Sequence, residues 1–268
     1  MTIAKVADYY NQDPEREWRR LETHVFEWAT TMHYLERLLP PSQAVLDLGG
    51  GPGRYAIALS HAGHRVTLAD LAKANLSFAQ QQAEELGSSL AGYVEVDARN
   101  LKPFSDHTFD TVLALGPMYH LLEEGDREKA IRECLRVLKP GGLLVVAFIS
   151  VYAALYDAVI TDPAGLAEWR PRLRHFMATG VHHAPEQGGA FTDAWFADPF
   201  QIAPWMSQFP LEPLHLIGAE SMLAQSKFAL YDQPPQVLAE WIDFACETAD
   251  TPAALAGSEH VVYFGRKC

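Results

Sequence analysis

The chain contains the stretch VLDLGGGPG at residues 45–53, which is followed directly by Arg54 and Tyr55. The apolar residues that open this stretch suit a short buried strand. Four glycines and a proline then occupy residues 49–53, and an apolar pattern with helical spacing begins at Ile57. The stretch therefore predicts a strand, a glycine turn and a helix.

A turn of this kind suits a ligand that the backbone binds. Glycine permits positive φ angles and lets a ligand approach the main chain closely, and the free N–H groups at the start of the next helix favour negative charge. Asp47 stands near the end of the strand, before the glycines. A carboxylate there suits a cationic or hydroxyl-bearing ligand and suits a pyrophosphate poorly.

A second strand is predicted at residues 64–70, which read HRVTLAD and end in an acid. Asp70 follows the glycine turn by roughly 20 residues, where a carboxylate can accept hydrogen bonds from a ribose. The alternative is that Asp70 only caps the helix that begins near Lys73.

Strands and helices are predicted to alternate from residue 42 to about residue 150. The predicted strands are Ala44–Leu48, Arg65–Ala69, Ala91–Glu95, Thr111–Leu115 and Leu143–Ile149. The predicted helices are Tyr55–His61, Lys73–Leu86 and Arg127–Leu138. Repeated βα units imply a parallel sheet with helices on both faces, and ligands bind such sheets beyond the carboxyl ends of the strands. The residues that fall at these ends are Asp47, Asp70, Asp97 and Gly116.

Five motifs in this region resemble those of the class I S-adenosylmethionine-dependent methyltransferases, in the order of that family. DLGGGPG resembles the first motif, Asp70 the acid that holds the ribose hydroxyls, and YVEVDARNL at residues 93–101 the third motif. FDTVLALGPMYH at residues 109–120 resembles the fourth strand with its loop, and VLKPGG at residues 137–142 the turn into the fifth strand. The loop LGPMY departs from the Asn or Asp, two prolines and aromatic that are typical of nucleic-acid amino-methyltransferases.

The resemblance implies an α/β fold: a Rossmann-like, doubly wound, seven-stranded sheet whose last strand is antiparallel and lies beside the fifth, with helices on both faces. The implied segments are an N-terminal helical lid at 1–40, a cofactor-binding core at 41–150, an inserted substrate cap at 151–210, and a completion of the sheet at 211–268. Within them, the helical periodicity of Glu15 to Leu39 predicts a helix. Further elements are predicted at Pro213–Ala219 (strand), Pro235–Thr248 (helix) and His260–Gly265 (strand).

The resemblance also implies S-adenosyl-L-methionine as the cofactor and S-adenosyl-L-homocysteine as its product. Asp97 and Ala98 would flank the adenine, and Leu115 or Gly116 would offer a carbonyl to the cofactor's amino group. Arg54 would pair with an acid or with the methionine carboxylate, and Tyr10 would close over the cofactor or simply pack. The residues expected to bind the cofactor are Tyr10, Asp47, Gly49, Gly51, Gly53, Arg54, Asp70, Leu71, Asp97, Ala98, Leu115 and Gly116.

Four residues are candidates for catalysis. A general base is needed only if the nucleophile is protonated at neutral pH, and His120, which follows the fourth strand, either serves as that base or packs against a helix. Tyr119 would orient the acceptor or pack, and His182 or His183 of the cap would contact the substrate or act as the base. Adjacent histidines in a strand point to opposite faces, so no metal ion is expected there.

Charge and composition limit the partners. The net charge is −13 and the basic residues are scattered apart from RPRLR at residues 170–174, so no nucleic-acid partner is expected. No apolar run approaches the ~18 residues of a membrane span, and the N-terminal residues lack a signal-peptide core. The three cysteines match no metal-binding spacing. We expect a cytoplasmic monomer or homodimer that binds no membrane.

The sequence thus predicts an enzyme that methylates a nitrogen or oxygen atom of a small, aromatic or heteroaromatic molecule. Three alternatives remain at this point, one of which is an enzyme that uses the same cofactor for other sulfonium chemistry. An NAD-dependent oxidoreductase is disfavoured by Asp47 and by the alternation of Gly49, Gly51 and Gly53, which gives no GxGxxG motif at this turn. A non-catalytic S-adenosylmethionine-binding accessory or regulatory protein would keep the same pocket.

Overall fold

The structure, a computed structural model, describes residues 3–184 and 192–268. In these residues seven strands form one sheet in the order β3-β2-β1-β4-β5-β9-β8. Strand β9 runs antiparallel to both of its neighbours, and the pairs among β1 to β5 are parallel. This order confirms the predicted doubly wound sheet with an antiparallel last strand beside the fifth. The strands of the sheet are β1 (Ala44–Leu48), β2 (Arg65–Asp70), β3 (Gly92–Glu95), β4 (Phe109–Ala114), β5 (Leu138–Ile149), β8 (Leu211–Gly218) and β9 (His260–Lys267).

The central strands are buried on both faces, which is why they read as nearly continuous apolar runs. Every residue of β1 is buried. Because side chains alternate along a strand, Leu46 packs into the apolar core on one face of the sheet, and Val45 packs into the core on the other. The helices that cover the core strands are α4 (Arg54–His61), α5 (Lys73–Glu85) and α6 (Glu124–Val137).

The N-terminal segment differs from the single helix predicted between Glu15 and Leu39. It forms α1 (Ile3–Gln12), α2 (Pro14–Thr23) and α3 (Val25–Leu38). Asp13 caps α2, because its carboxylate accepts a hydrogen bond of 2.8 Å from the backbone N–H of Arg16, and a proline suits the first helical position that follows. His24 interrupts the second helical stretch with the non-helical angles φ −91° and ψ 60°. The apolar periodicity continues across this break, so the prediction of one helix was wrong.

The predicted cap contains α7 (Val151–Thr161), α8 (Leu166–Thr179), α9 (Pro199–Met206) and a two-stranded ribbon. In this ribbon, β6 (Val181–His182) pairs antiparallel with β7 (Ala194–Trp195). The guanidinium of Arg127 in α6 lies 3.7 Å from the centre of the Trp195 ring, which ties the ribbon to the core. Part of the predicted cap, residues 185–191, lies outside the described residues.

The C-terminal segment adds α10 (Lys227–Tyr231), α11 (Pro235–Thr248) and α12 (Pro252–Gly257) between β8 and β9. Strand β5 begins at Leu138, five residues before the predicted start at Leu143. The pairing of β5 with β4 shifts its register in this part: Phe109 pairs with Leu138, and Thr111, only two residues later, pairs with Leu143. Within the described ranges, no helix combines the length and the apolar character needed to cross a bilayer.

Candidate functional site

A cavity lies where the parallel strands β1 to β4 end, and α1 covers one side of it. The empty space between its walls, including a part that is open to solvent, is about 750 Å3. Its walls come from the N-terminal helices, from the turns after these strands and from the short 3₁₀ helix Pro117–His120. The lining residues are Val6, Ala7, Tyr10, Glu17, Leu48, Gly49, Gly51, Asp70, Leu71, Ala72, Asn75, Val96, Asp97, Ala98, Gly116, Pro117, Tyr119, His120 and Leu121.

Bare backbone forms part of the cavity wall. Gly49 has a φ of +66°, and a Cβ atom on it would lie 2.7 Å from Cγ of Pro117. A Cβ atom on Gly116 would lie 2.6 Å from the carbonyl oxygen of Gly49. The turn after β1 and the turn after β4 therefore touch through their main chains, which only glycine permits at both positions.

Asp70 is the last residue of β2 and is 7% exposed. One carboxylate oxygen accepts a hydrogen bond of 2.8 Å from the N–H of Gly51, and the other accepts one of 2.7 Å from the N–H of Ala72. Burial raises the pKa of Asp70, while these donors and the Asn75 amide favour the charged form. Asp70 thus joins the glycine turn to the residue before α5, and it also lines the cavity.

Asn75 was not predicted as a site residue. It is 1% exposed, and its Nδ2 lies 3.3 Å from Oδ1 of Asp70. Its own Oδ1 is buried and has no hydrogen-bond partner among the described residues. A buried acceptor without a partner at a cavity wall is an atom that a bound ligand can satisfy. The available signal was an amide on the buried face of α5, which is otherwise apolar.

Asp47 lies behind the turn and does not line the cavity. A Cβ atom on Gly50 would lie 2.5 Å from its carboxylate carbon, so the carboxylate packs directly against that glycine. Both of its oxygens are buried without a hydrogen bond to any described residue. Burial and the charge of Asp70 raise the pKa of Asp47 to about 7, and the nearby N–H of Ala56 acts in the opposite direction without forming a hydrogen bond of ordinary geometry.

The structure brings ten of the predicted site residues to the cavity wall: Tyr10, Gly49, Gly51, Asp70, Leu71, Asp97, Ala98, Gly116, Tyr119 and His120. It places the others elsewhere: Asp47, Gly53, Arg54, Leu115, His182 and His183.

Each of these outlying residues has a different local setting. The guanidinium of Arg54 lies 4.3 Å from the centre of the Trp28 ring. Gly53 precedes α4 with a φ of +84°, and Leu115 packs against the apolar core. The side chain of His183 is 72% exposed and lies 3.8 Å from Asp193, and His182 belongs to the ribbon of the cap.

A chain of hydrogen bonds crosses the cavity wall at His120. Its Nε2 lies 2.9 Å from the hydroxyl of Tyr10, and its Nδ1 lies 3.1 Å from Oγ1 of Thr192, which is 3.1 Å from the carbonyl oxygen of Asp193. Burial lowers the pKa of His120 to about 4 and raises the pKa of Tyr10 well above its usual value. The ring is therefore neutral and the phenol keeps its proton.

The carbonyl oxygen of Asp193 can only accept a hydrogen bond, and together with these protonation states it assigns a direction to the chain. Tyr10 donates to Nε2 of His120, the N–H at Nδ1 donates to Thr192, and Thr192 donates to the Asp193 carbonyl. The chain links α1, the turn after β4 and the cap. Thr192 was not predicted, because no sequence rule places this part of the cap beside His120.

Charged groups lie next to this wall. Glu17 lines the cavity and forms an ion pair of 2.6 Å with Arg20, which also favours ionisation of Tyr119. Burial nevertheless raises the pKa of Tyr119, so its hydroxyl keeps its proton.

Comparison with known proteins adds a family and several relatives. A family model described as a methyltransferase domain matches residues 46–146. The chain is 32% identical over 173 residues to the ubiquinone/menaquinone biosynthesis C-methyltransferase UbiE of Shewanella sediminis, and the match covers 58% of this chain and 67% of that protein. It is 32% identical over 146 residues to a ubiquinone biosynthesis O-methyltransferase of Paracidovorax citrulli, over 54% of this chain and 60% of that protein.

Solved structures share the fold. A 1,6-didemethyltoxoflavin-N1-methyltransferase of Burkholderia thailandensis, with bound 1,6-didemethyltoxoflavin and S-adenosylhomocysteine, aligns with a TM-score of 0.60 at 16% identity, over 98% of this chain and 88% of that one. An S-adenosylmethionine-dependent methyltransferase of Methanosarcina mazei aligns with a TM-score of 0.59 at 18% identity, over 87% of this chain and 96% of that one.

Proposed function

We propose an acceptor class and site residues for this chain, which belongs to the class I S-adenosylmethionine-dependent methyltransferases. The enzyme methylates an oxygen or nitrogen atom that carries a proton, on a small aromatic or heteroaromatic molecule. When bound, S-adenosylmethionine supplies a methyl group on a positively charged sulfur, which is already an electrophile. Membership of this family does not favour a nicotinamide oxidoreductase or a non-catalytic binding protein.

Three observations support a fit between the cavity and this cofactor. The wall at Gly49 and Gly116 is bare backbone, so a ligand can approach the main chain closely. The carboxylate of Asp70 is held in one orientation by backbone donors, as a group that accepts hydrogen bonds from a ribose must be. The Oδ1 atom of Asn75, which has no hydrogen-bond partner in the part of the chain that the structure describes, offers a further acceptor. Asp97 and Ala98 flank the adenine in this proposal.

In this proposal, the predicted cofactor residues that lie outside the cavity hold its walls in position and do not touch the cofactor. Asp47 and Gly53 shape the glycine turn from behind, Arg54 anchors the start of α4 on Trp28, and Leu115 packs beneath the turn after β4. Each of them fixes the backbone that the cofactor would touch.

The observation that carries the proposed chemistry is the neutral ring of His120 at the cavity wall. Its Nε2 can accept the proton of the acceptor's O–H or N–H in place of the Tyr10 hydroxyl. The bound cofactor would supply the methyl carbon to the acceptor atom and keep the electron pair of the broken carbon–sulfur bond, and Nε2 of His120 would take the acceptor's proton. A weak base is sufficient for an oxygen acceptor, because a hydroxyl becomes strongly acidic as it is alkylated.

The largely apolar lining of the cavity supports a largely apolar acceptor. The relatives named above act, by their names, in ubiquinone and menaquinone biosynthesis and transfer methyl groups to carbon or oxygen. A ring that carries a hydroxyl group fits both this likeness and the base at His120. The proposal therefore uses His120 as the base, not His182 or His183 of the cap.

The test is methyl transfer from isotopically labelled S-adenosylmethionine to a panel of phenols, hydroquinones and N-heterocycles. With an acceptor found in this way, His120→Ala is expected to lower kcat by about 10²- to 10⁴-fold and to leave the Kd for S-adenosylhomocysteine within about twofold. Tyr10→Phe removes only the hydrogen-bond donor and should lower kcat less. His61→Ala, an exposed histidine at the end of α4, is the matched control.

The pH profile gives a second readout. Because burial lowers the pKa of His120 to about 4, the acid limb of kcat/KM should lie near that value and not near the usual histidine range. Full activity in His120→Ala would contradict the proposed role. A limb between about pH 6 and 7 that this variant lacks would leave His120 as the base but would show that burial does not lower its pKa.

A further inference from the structure

A second polar cluster, which the proposed reaction does not use, lies between the N-terminal helices and β8 and β9. It joins His24, which precedes α3, Glu27 in the first turn of α3, Glu220 after β8, and His260, the first residue of β9. One donor atom from each residue lies within 4.8 Å of all the others. The side chains are 22%, 17%, 3% and 13% exposed, respectively, so the cluster is largely closed to solvent.

Three of the six separations between the donor atoms lie near those of a tetrahedral metal site, and all six are within 4.8 Å. With zinc–ligand bonds of about 2.0 Å, ligand atoms in such a site are roughly 3.3 Å apart. Oε2 of Glu27 lies 3.1 Å from Nδ1 of His24 and 3.7 Å from Nδ1 of His260. Oε1 of Glu220 lies 2.7 Å from Nδ1 of His260. The three separations bracket the expected value.

The chemistry of the donor set points to a borderline divalent cation. Two imidazole nitrogens and two carboxylate oxygens are typical zinc ligands. With both rings neutral the set carries a charge of −2, and burial of two carboxylates is costly unless a cation compensates them.

One ligand is already held in position by the backbone. Oε2 of Glu220 accepts hydrogen bonds of 3.1 Å and 3.0 Å from the N–H groups of Glu259 and His260. Supporting contacts of this kind orient the ligands of metal sites, and here they leave Oε1 directed at the cluster.

We propose that His24, Glu27, Glu220 and His260 bind one divalent transition-metal ion of the zinc class. Four protein ligands and little solvent exposure make this a closed, structural site. The ion would tie the start of α3 to the end of β8 and to the start of β9. Apart from the pair His24 and Glu27, the ligands are far apart in the sequence, because they come from three separate stretches of the chain.

The competing occupant is a proton. Although burial acts to lower it, the charges of Glu27 and Glu220 raise the pKa of His260 to about 9. A metal-free chain would then hold an imidazolium between two carboxylates. A direct metal titration separates the two cases.

The experiment treats the purified protein with a chelator, removes the chelator and titrates with Co2+, whose visible absorption reports its coordination geometry. We expect one Co2+ per chain with the intense bands of a tetrahedral site. Zn2+ should displace it, whereas Mg2+, which prefers six oxygen ligands, should not. Zn2+ should also raise the Tm, because it binds the folded chain.

Variants assign the site. Glu27→Gln and His24→Ala should each weaken Co2+ binding at least about tenfold, while the exposed acid of the same helix, in Glu36→Gln, and the exposed His61→Ala should leave it unchanged. His24 makes no side-chain capping bond to α3, so His24→Ala carries the test if Glu27→Gln does not fold. A wild-type chain that gives no tetrahedral Co2+ spectrum, or a His24→Ala variant that binds Co2+ as tightly as the wild type, would overturn the proposal.

Discussion

The carboxylate of Asp47 is buried without a hydrogen bond of ordinary geometry to any described residue, which is unusual for a charged group. It is 1% exposed, and burial together with the neighbouring Asp70 raises its pKa to about 7. Burial and the nearby negative charge thus favour the neutral acid. A pKa difference of one corresponds to about 1.4 kcal/mol between the two protonation states. The glycine turn therefore packs against Asp47, and ionisation of this residue destabilises the folded chain.

This leads to a prediction for Asp47→Asn in the cofactor-free protein. The pKa of Asp47 is higher in the folded chain than in the unfolded chain, so the unfolded chain loses its proton first as the pH rises. Between about pH 4 and 7, the free energy of unfolding of the wild type should therefore fall by about 2–4 kcal/mol relative to that of the variant. Above this range the difference should stay constant. Denaturant unfolding of both proteins across this range measures the difference; parallel pH curves would show that the charged form has a partner.

The sequence placed both acids at strand ends but could not separate their roles. Asp47 is paired on both sides, with Leu68 in β2 and Leu113 in β4, so its side chain is enclosed by the sheet. Asp70 is the last residue of its strand and turns into the cavity. Strand ends are predictable only to within a residue or two, and here one residue decides which group meets the ligand.

At the scale of elements, the contact between the turns after β1 and β4 shapes the cavity. A methyl group on Gly116 would lie 2.6 Å from the carbonyl oxygen of Gly49, so one turn can move only if the other does. The φ of Gly116 is −116°, which any residue can adopt, so the requirement for glycine is steric.

We predict that Gly116→Ala pushes the glycine turn out of place. It should lower the free energy of unfolding by about 1–3 kcal/mol and weaken the binding of S-adenosylhomocysteine, measured by calorimetry. The matched control is Gly125→Ala in the first turn of α6, where a Cβ atom meets nothing within 4 Å. That change should raise the free energy of unfolding by about 0.5–1 kcal/mol and leave binding intact. Equal binding by both variants would contradict the steric argument.

The elements of the core were predictable to within a few residues, because buried parallel strands and glycine turns leave strong patterns. The N-terminal break was not, because the apolar periodicity runs through His24 and the chain there has neither glycine nor proline. The ribbon of the cap was also missed, since strands as short as Val181–His182 leave no periodic pattern.

At the scale of the whole molecule, the cavity is assembled from segments that are distant in sequence. The sheet edge supplies residues that follow the rule for parallel sheets, and these were predictable. The contributions of α1 and of Thr192 in the cap were harder to foresee, because no local pattern fixes where a separate helix or loop docks. The suggestion that Tyr10 closes over the cofactor came only from the family resemblance.

The position of α1 leads to the last prediction. Val6, Ala7 and Tyr10 line the cavity, and the polar contacts of the helix with other described elements include the bond of 2.9 Å from the N–H of Ala74 to Oδ1 of Asn11. If residues 1–40 act as a lid, a ligand in the cavity gives α1 new contacts and lowers the population of open states. A ligand at about 100 times its Kd stabilises the closed state by about 2.7 kcal/mol, so amide exchange in α1 should slow by up to about 100-fold.

Hydrogen–deuterium exchange with and without S-adenosylhomocysteine measures this effect. Helix α12, which contributes no residue to the cavity lining, is the internal control and should exchange at the same rate in both samples. Unchanged exchange in α1, under conditions where calorimetry shows the ligand bound, would mean that the helix does not close over the site. The residues that stabilise the bound ligand would then come from the sheet edge alone, and Tyr10→Phe should leave the Kd for S-adenosylhomocysteine unchanged.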